Sequence, residues 1–184
     1  MKTAAAAVVA TVTRALPIPA PAPAPVGRAF PSVVGRSLAG EPVRLPQAVA
    51  GAPAVLLVAY RRGTQADVDL WIGMLRRDLP SLRALELPAI ANVVWRPLAG
   101  WIDGGMRRGV PQPMWASVVT LYEDAGAVRD FLGDAGGLTS HVVLLDGAGT
   151  VLWFHTGGYG EEAAAALRAA VAGASDPPSG RPAR

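Results

Sequence analysis

Short apolar runs and stretches of helical period alternate along the middle of the chain. Residues 54–60 (AVLLVAY) are continuously apolar between Pro53 and Arg61-Arg62-Gly63, as expected of a strand covered on both faces. Residues 67–79 follow, with Val68, Trp71, Ile72 and Leu75 on one helical face. Thr64 or Gln65 stands where an N-cap belongs, and Pro80 where the helix must end. Further strands are predicted at 42–45, after the turn at Gly40, at 89–95 (AIANVVW) and at 117–122 (SVVTLY). Residues 98–108 read as an irregular helix broken by glycines, 111–115 as loop and 127–132 as a short helix.

The clearest local pattern is a hairpin. Two apolar runs, 141–145 and 151–156, flank Asp146-Gly147-Ala148-Gly149-Thr150. Asp opens such a turn and Gly149 supplies the positive φ of a bulge. Pairing Asp146 with Thr150 puts His141 opposite His155, with Cβ atoms about 4.5–5.5 Å apart. These are the only two histidines of the chain. A last helix spans 161–172, with Glu161 and Glu162 near its start and Gly173 after it. Strands alternating with helices predict an α/β domain with parallel neighbours, and the closing hairpin makes the sheet mixed.

The ends differ from this pattern. Residues 1–29 hold Lys2, an Ala/Val/Thr stretch and alternating X-Pro from Leu16 to Pro25. That segment reads as a disordered, extended leader. It resembles a secretory signal peptide, which would place the protein in the cell envelope; the other reading is a tether on a cytoplasmic protein. Residues 173–184 read as a disordered tail, which leaves a single domain over 30–172.

Composition narrows the chemistry. Of 184 residues, 51% are hydrophobic and 17% charged, enough for a sizeable core. Cysteine is absent, so disulfides, thiolate metal sites and thiol catalysis are all excluded. The net charge of +3 comes from scattered arginines, with Lys2 the only lysine. No clustered basic stripe points to nucleic acid. There is no G-x-S-x-G and no phosphate-binding G-x-x-x-x-G-K-[ST], and no motif implies a cofactor.

Three pieces in order carry a resemblance. Phe30-Pro31…Gly35…Leu38-Ala39-Gly40-Glu41-Pro42-Val43, Val55–Gly63 (VLLVAYRRG), and Val142–Trp153 (VVLLDGAGTVLW) with Gly157-Gly158 resemble the thioredoxin-like fold in its peroxiredoxin and redoxin branch. The likeness covers roughly residues 30–172. A narrower likeness is to the mitochondrial ATP-synthase assembly factor family, which shares the closing hairpin. The resemblance implies that Thr64 and Asp67 stand at or near the two cysteine positions of a C-x-x-C. It also implies that Thr139-Ser140-His141 replaces the usual cis-proline segment. A hydroxyl is no substitute for a thiolate, so disulfide exchange and peroxide reduction are excluded.

Two functions are then in view. One is a redox-inactive module that binds a protein or peptide, an assembly helper with a partner that is membrane-associated in one version. The other is a small-anion site or non-thiol enzyme built from Arg61, Arg62, Thr64, Asp67, Ser140, His141 and His155. A helix N-terminus and arginines suit an anion. A metal would need a third ligand beside the two histidines, from Asp67, Ser140 or Glu161. Trp95, Trp101 and Trp115, with Met106 and Met114, mark a mid-chain stretch that reads either as a groove for a partner segment or as irregular core.

Overall fold

The computed structural model describes residues 25–90, 99–133 and 139–175, with the side chains of Arg62, of 99–103 and of 175 outside that description. The expected mixed sheet forms around β3 (Ala54–Ala59), whose six residues are all buried. It pairs in parallel with β4 (Arg83–Pro88) and antiparallel with β6 (His141–Leu145), and β7 (Val151–His155) completes the order β4-β3-β6-β7. A smaller antiparallel sheet joins β1 (Val33–Ser37), β2 (Pro42–Leu45) and β5 (Val119–Thr120), in the order β2-β1-β5. Isolated parallel bridges Glu86↔Val118 and Ala89↔Leu121 stitch the two together.

Alternation along β3 sends side chains into two layers. Val55 and Leu57 meet Val68, Trp71, Met74 and Leu75 of α1 (Gln65–Asp78) and Leu167 of α4 (Glu161–Ser175). Ala54, Leu56 and Val58 face Phe30, Val33 and Leu45, with Val128 and Leu132 of α3 (Ala125–Leu132). The remaining helix, α2, is Ala99–Gly109. No described helix is long and apolar enough to cross a membrane.

Several elements differ from expectation. An unexpected strand lies at Arg83–Pro88; of the strand expected at 89–95, residues 91–95 fall outside the described residues, while Ala89 bridges to Leu121 and donates its N–H to the Ala59 carbonyl. Glu86 interrupts the apolar run of β4, which is why the pattern does not announce it. β1 was not expected, because Gly35 and Arg36 break its alternation. Gly35 lets β1 pass close to β5: a Cβ there would meet Val119 Cγ1 at 2.5 Å and the Thr120 carbonyl oxygen at 2.9 Å. The strand expected at 117–122 shrinks to two residues, preceded by the 3-10 helix Gln112–Ser117 where a loop was expected.

Both domain ends are longer than the sequence pattern indicated. α4 runs through Gly173 to Ser175. Residues 27–30 pair with the hairpin: the Gly27 N–H donates to Val151, the Val151 N–H to Arg28, and the Phe30 N–H to Gly149.

Candidate functional site

The chain leaves β3 through Arg61, makes one 3-10 turn at Arg62–Thr64 and enters α1. Thr64 is only 1% exposed. Its hydroxyl donates to the Arg61 carbonyl at 2.6 Å rather than capping α1. Arg61 is exposed, and the Arg62 side chain lies outside the described residues.

Asp67 sits in the first turn of α1, where the helix dipole favours an anion. Its Oδ2 accepts the Ser140 N–H at 2.8 Å and the Ser140 hydroxyl at 2.6 Å, and its Oδ1 accepts the Tyr159 N–H at 2.5 Å. Around it the Thr139 hydroxyl donates to the Thr156 carbonyl at 2.7 Å. His155 Nε2 lies 2.8 Å from the Gly158 carbonyl, a contact that requires the proton on Nε2. Gly158 has φ +83°, and a Cβ there would sit 2.9 Å from Thr139 Cγ2. One carboxylate thus clamps the loop before β6 and the loop after β7 onto the start of α1. The corner is filled by hydrogen bonds among its own groups.

The expected histidine pair does not form. The register opposes His155 to Val142, not His141, and shifts only at a bulge between Leu144 and Leu145. The pairing counted from the turn holds at Leu145↔Val151 and is lost one residue further along. A one-residue slip moves a side chain to the other face. His141 therefore enters the α3 layer, edge-on to Tyr60 and Phe154 at 5.1 and 5.7 Å between ring centroids. His155 enters the α1 layer, stacked on Trp153 at 5.7 Å and edge-on to Trp71 at 5.9 Å. The two imidazoles do not converge on one ligand. Among the described residues no group of three or more His, Cys, Asp or Glu is placed to hold a metal.

Of the seven candidate residues, the structure brings Asp67 and Ser140 into contact, with His155 bonded into the adjoining loop. Thr139, Gly158 and Tyr159 belong to the same clamp and were not singled out as site residues; Gly157-Gly158 entered only as part of the resemblance.

A separate concave surface lies along the other flank of α1. It is a cleft of about 310 Å³ between α1, β4 and the 112–118 segment. Leu57, Ile72, Leu75, Leu79 and Met114 line it, together with Glu86. Glu86 is 9% exposed. Burial pushes its carboxyl above the usual range, the Gln65 side chain opposes this and the Asp69 charge adds to it. Arg76 bonds across to the Met114 thioether. Trp115 of the same segment donates Nε1–H to the Val110 carbonyl at 2.9 Å and lies under Arg107.

No protein-family model matches the sequence, and no curated protein matches it. Solved structures do resemble the fold. An uncharacterised conserved protein from Geobacillus kaustophilus is 18% identical, with TM-score 0.58 over 90% of this chain and 93% of that one. A thiol:disulfide interchange protein DsbE from Chlorobium tepidum is 16% identical, with TM-score 0.57 over 83% and 99%. Yeast Sco1 with copper bound is 10% identical, with TM-score 0.55 over 84% and 96%. The chain has the thioredoxin-like fold, and it has it without a cysteine.

Proposed function

We propose that this protein is a redox-inactive binding module on the thioredoxin-like fold, one that docks a protein or peptide segment. The observation that carries the reading is the Asp67 clamp. The corner at Thr64 and Asp67, where the resemblance puts thiols, is closed by three hydrogen bonds to one carboxylate. The concave, mostly apolar surface lies beside α1 instead, and such surfaces are the usual place for a ligand. The likeness to assembly factors makes an assembly client the natural partner class, and a membrane-associated client belongs to the same reading. An anion or non-thiol catalytic site shared by both histidines finds no support, since they occupy opposite faces of the sheet.

The test has two arms. Insulin reduction and peroxidase assays on the pure protein should show no turnover. Peptide display against the immobilised protein should enrich apolar sequences, and their binding should shift NMR signals of Ile72 and Met114. Turnover in the first arm, or no enrichment in the second, overturns the reading.

A further inference from the structure

We propose that the cleft between α1 and β4 receives the free amino terminus of an apolar peptide, with the Glu86 carboxylate as counter-charge to its ammonium group. The inference rests on the binding role above and names the chemistry it recognises.

Glu86 reaches the cleft from the middle of β4, cross-strand from Leu57, and is nine-tenths buried. A carboxylate in such a place costs free energy unless a cation or enough donors meet it. The groups acting on it are the Gln65 amide and the Asp69 carboxylate, one neutral and one of like charge. The arginines nearby are turned elsewhere: Arg76 to the Met114 thioether and Arg83 to the Ala48 carbonyl. Among the described residues no cation pairs with Glu86.

Among the described residues Glu86 is the one carboxylate in the lining of the cleft, and the charge of Asp69 acts on it from α1. Ile72, Leu75 and Leu79 supply an apolar wall. An ammonium fits against Glu86 and apolar side chains fit the wall. A chain start joins the two directly, whereas a lysine carries its ammonium at the end of a four-carbon stem.

Isothermal titration calorimetry on the full chain tests this with a short Leu/Ala-rich peptide, amidated at its C-terminus, in free-amine and N-acetylated forms. The free form should bind, and acetylation should weaken it roughly tenfold or more. Glu86→Gln should weaken the free form by a similar factor and leave the acetylated form unchanged. That variant removes a buried charge and is expected to fold. Ala84→Phe, which fills the half-buried cleft floor, should abolish binding of both forms. Equal binding of the two forms, or no effect of Glu86→Gln, overturns the amino-terminus inference. If Ala84→Phe still blocks both in that case, the broader peptide-binding role stands. If neither form binds, the inference falls, and the display experiment decides the broader role separately.

Discussion

Asp67 holds three stretches of chain at one point, and its partners are 73 and 92 residues away in sequence. Asp67→Ala would leave the buried Ser140 donors and the Tyr159 N–H without their acceptor, at a cost of about 2–3 kcal/mol. Urea unfolding should show that loss at unchanged m-value; a loss under about 0.5 kcal/mol would mean that water replaces the carboxylate without penalty. Glu86 works in the opposite sense. Its folded-state pKa is raised by burial, so the native state holds its proton more tightly than the unfolded chain. Its ionisation therefore costs stability as pH rises from about 4.5 through the folded value, and the cost is complete above it. Glu86→Gln should accordingly be more stable than the parent at pH 7, and the advantage should shrink as pH falls through the folded value and vanish below about 4.5. Melting temperatures across that range check both the sign and the window. In the sequence Asp67 and Ser140 were legible as members of one candidate site but not as a clamp, and nothing singled out Tyr159. Glu86 was not legible at all: a lone carboxylate between Leu85 and Leu87 reads as a break in a strand.

At the scale of elements, the β6–β7 hairpin shows what pattern alone settles. The strands, the turn and the role of Asp146, which accepts the Ala148 and Thr150 N–H groups at 2.9 and 2.8 Å, follow from local residues. The register does not, because the bulge at Leu144/Leu145 is invisible in an apolar run where every neighbour is also apolar. One extra residue on β7 then separates His141 from His155. β4 went unread for a related reason, since Glu86 breaks its run and the more apolar stretch just after it made the stronger strand signal. The turn itself is tightly determined. Gly149 has φ +87°, and a Cβ there would lie 2.5 Å from Pro46 Cγ. Gly149→Ala should therefore cost about 2–4 kcal/mol from backbone strain and overlap together. Thermal unfolding measures it; a neutral substitution would show that the turn moves freely off Pro46.

For the whole molecule, the alternation of strands and helices was enough to give the α/β class and the mixed sheet, because β3 and β6 are apolar on both faces and so demand cover on both. The second sheet was readable only in part: strands were expected at 42–45 and 117–122, but β1, which pairs with both β2 and β5, was not. Nor was the strap of residues 27–30, of which 27–29 read as leader. It carries Phe30, 3% exposed and edge-on to Phe131 at 5.8 Å, into the α3 layer. A chain beginning at Pro31 should be less stable than one beginning at Pro25 by about 3–5 kcal/mol, the usual cost of losing a buried phenylalanine. Guanidinium titration of the two truncations distinguishes this from a strap that merely lies on the surface.

The clamp also fixes what the corner could become. A thiol is a weak acceptor, so exchanging Asp67 for cysteine would surrender the bonds that hold the loops before β6 and after β7. The place where redox chemistry would have to be installed is the same place on which the local architecture hangs. A thiol at Asp67 would therefore have to come with new acceptors for the Ser140 and Tyr159 N–H groups.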